Sequence, residues 1–301
     1  MSQAVIRTDN LTKYYGKNRG ILDLSIEVQR GEVFGFLGPN GAGKTTTIRI
    51  LMDFIRPTSG LAQVLDLDSR EGSREIKRRV GYLPGELTLY ENLTAAELLR
   101  HFAHLRGGVD WGYVRELAAR LNLGLRHRIS NLSQGNKRKV GLIQAMMHRP
   151  ELLVLDEPTN GLDPLVQQEF YRLVGEVKAE GRTVFLSSHN LPEVERVCDR
   201  VGVIREGRLV AVEQIEALKR RALRQLEIHF AQPVPSLVFE GIEGVRDVRV
   251  EDGVLQCSVV GSLDALIKRA AQYEVLNIIS REPSLEEIFL AYYGGGVRDA
   301  A

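Results

Sequence analysis

The chain has 301 residues, 44% hydrophobic and 26% charged, with a formal net charge of +1 at pH 7. That length allows one large domain and a small one, and that balance excludes a disordered chain. So small a charge excludes a general electrostatic pull toward nucleic acid or acidic lipid, and the two cysteines, Cys198 and Cys257, stand far apart in no metal-ligand spacing, which predicts buried reduced thiols.

The opening stretch MSQAVIRTDNLTKYYG has neither a basic n-region nor an apolar core, and no segment approaches the ~20 apolar residues that cross a bilayer. No signal peptide or membrane span is expected. Residues 21–38, ILDLSIEVQRGEVFGFLG, predict strands that alternate and then become continuously apolar, broken at Arg30-Gly31. They run into the turn GPNGAGKTTT (38–47), and TTTIRILMDFI behind it predicts a helix through Ile48, Leu51, Met52 and Ile55. From about residue 94 to 149 the pattern is helical, with Leu98, Leu99, Phe102 and Leu105 on one face and Val114, Leu117 and Leu121 on another. LLVLDEP (152–158) and TVFLSSH (183–189) return as short apolar strands. Strands alternating with helices predict a parallel-sheet α/β core, here with an inserted helical subdomain at about 86–149.

A break falls near residue 218, which predicts two domains, 1–218 and 219–301, the second a small α+β fold. There RQLEIHF and EVLNIIS read as strands, and Asp252-Gly253 as the turn of a hairpin within VRDVRVEDGVLQCSVV. SLDALIKRAAQ and PSLEEIFLAYY read as helices, the latter with Ser284 and Glu287 in capping-box spacing.

Gly38-x4-Gly43-Lys44-Thr45 is the spacing of a phosphate loop. Its glycines permit positive φ, so successive backbone N–H groups converge on phosphate oxygens, and the helix that follows adds its positive end. The expected cradle is Gly38, Pro39, Asn40, Gly41, Ala42, Gly43, Lys44, Thr45 and Thr46, with Lys44 a point charge for the β- and γ-phosphates and Thr45 a hydroxyl for Mg²⁺. In LLVLDEP a buried strand delivers Asp156 at its carboxyl end, where an α/β sheet presents ligands. Asp156 is expected to hold Mg²⁺ through water, and Glu157 to orient and deprotonate the attacking water. ATP and Mg²⁺ are the ligands this pair of motifs calls for.

From residue 11 to about 210 the motif series resembles the ATP-binding subunits of ABC transporters. In LTKYYGK, Tyr15 rather than Tyr14 stands where that family stacks a ring on adenine. LSQGN (132–136) resembles the family's LSGGQ signature; Ser133, Gln134 and Gly135 open the helix NKRKVGLIQAMM and offer a hydroxyl, a close backbone approach and a positive helix end. SSH ends in His189, at the position of the γ-phosphate switch histidine, and TNGLD (159–163) carries Asp163, which in the family links the halves of a dimer. The resemblance implies a phosphate-loop NTPase core of the ABC-ATPase type, catalysis through Glu157, His189 and Lys44, and a second copy or homologous ATPase subunit sandwiching two ATP molecules. It also implies a polytopic membrane permease as partner and a peripheral place on the cytoplasmic face of the cell membrane. The appended domain and the stretches YLPGELTLYENLT and NGLDP resemble bacterial drug, antibiotic or lipid exporters.

Two departures stand out. Gln134 and Asn136 replace Gly and Gln of the signature. In GYLPGE (81–86) Gly85 stands where the family places glutamine, and Glu86, one residue late, is expected to approach the metal or its water. The basic clusters LRHRIS and NKRKV read as solvated helical faces with no nucleic acid expected; His101, His104 and His127 form no ligand set; Trp111 reads as subdomain packing. A soluble cassette ATPase of translation or DNA repair resembles tandem cassettes or a cassette split by a long coiled coil, and this chain has one cassette and no sustained heptads. A regulator that binds ATP without turnover is disfavoured by Glu157 and His189.

Overall fold

β-branched and aromatic residues pull the start of the chain into strands β1 (Ala4–Tyr15), β2 (Asn18–Leu24) and β3 (Glu27–Gln29). The structure is a computed structural model and describes residues 4–221 and 224–281. β4 (Val33–Leu37) is buried at every position and leads into α1 (Lys44–Leu51); β5 (Ser59–Val64) and β6 (Leu67–Asp68) then join β1 and β2 in an antiparallel sheet of order β2-β1-β5-β6, with β3 also paired to β1. The apolar spacing behind the turn runs on to Ile55, but the helix ends earlier. Asp53 takes a left-handed φ of +53°, Phe54 N–H returns to the Arg49 carbonyl at 2.8 Å and Asp53 N–H to that of Ile50 at 3.0 Å. This is a Schellman ending, which local periodicity does not reveal.

α2 (Ser73–Arg79) precedes β7 (Val80–Leu83), and three helices follow: α3 (Ala95–Leu105), α4 (Trp111–Arg120) and α5 (Gln134–Met146). Side chains start each of them. Thr94 and Glu97 form a capping box at α3, Asp110 accepts from Gly112 N–H at α4, and Ser133 accepts from Asn136 N–H at α5. The chain returns as β8 (Leu152–Asp156), α6 (Pro164–Ala179), β9 (Thr183–Ser188), α7 (Leu191–Val197), β10 (Arg200–Arg205) and β11 (Arg208–Gln214). The second sheet has the order β11-β10-β4-β9-β8-β7, parallel across β10, β4, β9, β8 and β7. β4, β8 and β9 are buried throughout, as strands covered on both sides must be. Phe34 and Phe185 stack between β4 and β9 with centroids 5.9 Å apart.

The chain divides into two units, Met1–Glu213 and Gln214–Ala301. The second contains α8 (Ile215–Arg221), β12 (Arg224–Phe230), β13 (Val245–Glu251), β14 (Val254–Val259), α9 (Asp264–Ala270) and β15 (Val275–Arg281), with strand order β13-β14-β12-β15. Leu226, Ile228, Phe239, Leu255 and Leu266 form its core. Asp252 and Gly253 take φ of +51° and +79°, so both central residues of the β13–β14 turn are left-handed, as a two-residue hairpin with the right strand twist requires. The stretch PSLEEIFLAYY lies outside the described residues. Cys198 and Cys257 are both buried and unpaired, and burial pushes both thiols up, Cys257 to about 11.

His148, just beyond α5, ties that helix to β7 by an Nε2 contact of 3.3 Å to the Val80 carbonyl. Burial and the guanidinium groups of Arg106 and Arg182 push its pKa down from 6.5 to about 4. The folded chain therefore keeps His148 neutral while the unfolded chain takes up a proton, so the stability it contributes is complete above pH 6.5 and is lost as pH falls toward 4. Urea unfolding of wild type and His148→Gln across that window should show a smaller acid loss in the variant; equal losses would show that His148 titrates alike in both states.

Candidate active site

The parallel sheet decides where the site forms, because β4, β8 and β9 end side by side. β4 hands the chain to the glycine turn. Gly43 has φ of +112°, and a Cβ there would stand 2.6 Å from Ile21 Cγ2, so only glycine fits between the turn and β2. Lys44, 6% exposed, follows at the first position of α1. Its ammonium donates to the carbonyls of Gly38 (2.6 Å) and Pro39 (3.2 Å) and lies 3.2 Å from Glu157 Oε1. Thr45 Oγ1 donates to Asp156 Oδ2 at 2.8 Å.

A cleft of about 240 Å³ opens above these residues, lined by Asn40, Gly41, Lys44, Thr46, Glu157 and, at one end, Tyr15. Tyr15 comes within 3.5 Å of Thr46 Oγ1 through its hydroxyl, while Tyr14 is not part of the lining. Arg19 and Gly20 also border the cleft. No sequence motif marked them, since they reach it only through the β1–β2 pairing.

Asp156 is fully buried at the end of β8, and Ser187 Oγ of β9 donates to its Oδ1. Ser187 went unnoticed in the sequence; its place beside Asp156 follows from the β8–β9 register, which pairs those two residues. Glu157 comes next with φ of +50°, a left-handed backbone that costs a non-glycine residue roughly 1–3 kcal/mol. Its N–H is held by the Ser187 carbonyl (3.2 Å) and hydroxyl (3.1 Å). Its Oε2 lies 2.8 Å from His189 Nδ1, so one carboxylate contacts both Lys44 and His189. A buried carboxylate beside a threonine hydroxyl, Asp156 with Thr45, is an oxygen donor pair that suits a hard divalent cation. Behind His189, Glu193 is 2% exposed and accepts from Ser188 Oγ at 2.5 Å. Burial lifts its carboxyl above the usual range, against the pull of the Ser188 and Thr159 hydroxyls.

The signature residues gather elsewhere. Ser133 caps α5, and Gly135 packs on the TNGLD loop so closely that a Cβ would stand 2.4 Å from the Gly161 carbonyl. Asp163 caps α6 by accepting from Val166 N–H at 3.0 Å, with Lys139 Nζ 3.8 Å away. Ser133, Gln134, Gly135 and Asp163 do not line the cleft.

The expectation for one basic cluster is overturned. NKRKV was expected to be a solvated face, yet Arg138 and Lys139 are 5% and 6% exposed. Arg138 Nη1 donates to the carbonyls of Pro84 (2.7 Å) and Gly85 (2.9 Å), Nη2 to those of Asp156 and Glu157, and Nε to that of Pro158 at 3.4 Å. These carbonyls replace water around the buried cation, which burial alone would disfavour and which Asp156 and Glu157 favour. Glu86 does not line the cleft either; it is exposed and makes no hydrogen bond or ion pair among the described residues. Gly85 makes the close approach instead, since a Cβ there would sit 3.0 Å from Asp156 Oδ2.

Comparison with known proteins agrees with this geometry. The ABC transporter family model matches residues 21–160. The bacitracin transport ATP-binding protein BcrA of Bacillus licheniformis is 38% identical over 97% of this chain and 98% of its own. The linearmycin resistance ATP-binding protein LnrL of Bacillus subtilis (strain 168) is 31% identical over 98% of this chain and 100% of its own. A solved ATP-binding subunit of an ABC transporter superposes with a TM-score of 0.66 at 31% identity, covering 72% of this chain and 92% of that one. With relatives matching along nearly its whole length, the chain belongs to the ATP-binding subunits of ABC transporters, a family of ATPases.

Proposed function

We propose that this chain hydrolyses ATP as half of a two-site dimer and so drives export of a drug-like compound through a separate membrane permease. The observation that carries hydrolysis is Glu157, whose carboxylate is positioned between Lys44 and His189 at the edge of the cleft. In this reading the turn from Gly38 to Thr46 holds the phosphates through its backbone N–H groups, and Tyr15 stacks on the base. A phosphate competes with Glu157 for the Lys44 ammonium, which leaves the Glu157 carboxylate free to take a proton from water. His189, engaged by Glu157 through Nδ1, has Nε2 for a γ-phosphate oxygen. Thr45 and Asp156 would hold Mg²⁺, which when bound would supply positive charge against the phosphate oxygens. Glu86, exposed beside Gly85, approaches the metal only if its loop moves.

Ser133, Gln134, Gly135 and Asp163 form one patch outside the cleft, which supports a composite site in which this patch meets the nucleotide of a second copy. Export is supported by relatives whose names are bacitracin transport and linearmycin resistance, because resistance by transport means removal from the cell. No helix among the described residues is long and apolar enough to cross a membrane. The crossing is assigned to a polytopic partner, with this chain peripheral on the cytoplasmic face of the cell membrane.

Glu157→Gln keeps the shape of the site and removes the base. Its ATPase rate should fall by ~10²-fold or more while ATP binding persists, and the ATP-bound dimer should accumulate on a sizing column. Adding Ser133→Arg should return that variant to monomer with ATP still bound, whereas Lys44→Ala should weaken ATP binding itself. Normal turnover in Glu157→Gln would remove it as the base, and a dimer that survives Ser133→Arg would remove the composite site. For the transport reading, the tagged chain drawn from membranes should bring a polytopic protein with it. Reconstituted in vesicles, the pair should move a drug-like compound only with ATP; an ATPase indifferent to any membrane partner would contradict export.

A further inference from the structure

Arg138 is buried in α5, on the same helix that Ser133 caps. Its guanidinium reaches carbonyls from two separate loops, Pro84 and Gly85 on one side and Asp156, Glu157 and Pro158 on the other. Gly85 has no side chain to reach toward the base, and beyond the β7–β8 pairing Arg138 makes a polar link between the Pro84-Gly85 loop and the DEP turn. Glu157 sits in that turn with φ of +50°, a backbone that relaxes unless its surroundings hold it. Ser187 fixes its N–H, and Arg138 fixes its carbonyl.

We propose that Arg138 is a positioning residue for hydrolysis: it pins the Glu157 peptide in the left-handed turn that places the carboxylate between Lys44 and His189, and it ties that turn to the GYLPGE loop. The inference rests on Glu157 being the base. The planar fork of arginine is what the arrangement uses, since its N–H groups diverge in one plane toward carbonyls on both sides. A lysine ammonium is a single point that cannot span the two loops. Because Ser133 caps the helix that carries Arg138, contact at the signature end of the helix is felt at the base through this guanidinium.

The test uses the full-length chain with Arg138→Gln and the milder Arg138→Lys. Steady-state ATPase activity, affinity for a fluorescent ATP analogue and thermal unfolding are measured on each. Both variants should lose kcat by about ten-fold or more, the scale of a misplaced catalytic group, with nucleotide affinity within about two-fold of wild type. In a Glu157→Gln background, single-turnover hydrolysis should fall no further when Arg138 is replaced, because the residue acts through Glu157. If Arg138→Gln fails to fold, Arg138→Lys decides by the same measurements. An unchanged kcat in Arg138→Lys, a full additional loss on top of Glu157→Gln, or nucleotide affinity falling in step with kcat would each overturn the proposal. An active Glu157→Gln enzyme would overturn the base assignment and this inference together. An inactive Glu157→Gln with unimpaired Arg138→Lys would overturn this inference alone.

Discussion

Asp156 is a carboxylate with no exposure to solvent, and a charge so placed persists only if its oxygens are bonded. Thr45 supplies one bond and Ser187 the other. The three residues come from α1, β8 and β9, so this carboxylate fastens the phosphate loop to the two strands that carry Glu157 and His189. The parallel register makes the fastening possible, for Asp156 lies opposite Ser187, and Leu37 at the end of β4 lies opposite Ser188. A slip of one residue in either pairing would turn these side chains to the other side of the sheet and scatter the site. Long-range strand pairing therefore sets the distances that the loop sequence alone does not.

Around that anchor, charges are arranged so that each has a reason to be buried. Lys44 is compensated by two loop carbonyls and Glu157, and Arg138 by the carbonyls of the GYLPGE and DEP turns. Removing one partner of such a set leaves an unmatched charge in low dielectric, which destabilises the fold around the site. The signature residues stand apart from the cleft, which is the arrangement that the proposed two-copy site uses. A second copy is the simplest way to bring them together.

The features legible in the sequence are those that local backbone geometry imposes. Gly43 must be glycine at φ of +112°, Asp252-Gly253 must accept two left-handed residues, and LLVLD must be apolar to lie within a parallel sheet. Where the deciding partner is distant in sequence, local pattern does not reveal it. Arg138 looked like a solvated charge, but its partners lie 54 residues before it and 18 residues after it. Ser187, Arg19 and Gly20 belong to the site through strand pairing, and no spacing rule announces that. α1 stops at Leu51 although apolar residues continue in helical rhythm, because the αL turn at Asp53 ends it. The run RLVAVEQIEALKRR passes from strand to helix without a glycine or proline to mark a boundary, and the two units divide at Glu213 and Gln214.

Asp156 fastens Thr45 to Ser187, and in the proposed function the same carboxylate holds the metal. The most direct test is ATP affinity of wild type and the isosteric Asp156→Asn, each with Mg²⁺ and with Mg²⁺ removed by a chelator. The amide keeps the size and much of the hydrogen bonding of the carboxylate but not its charge. Metal-free affinities should be equal, with Mg²⁺ strengthening ATP binding in wild type and giving little or no gain in the variant. An undiminished Mg²⁺ gain in Asp156→Asn would contradict that metal-holding role.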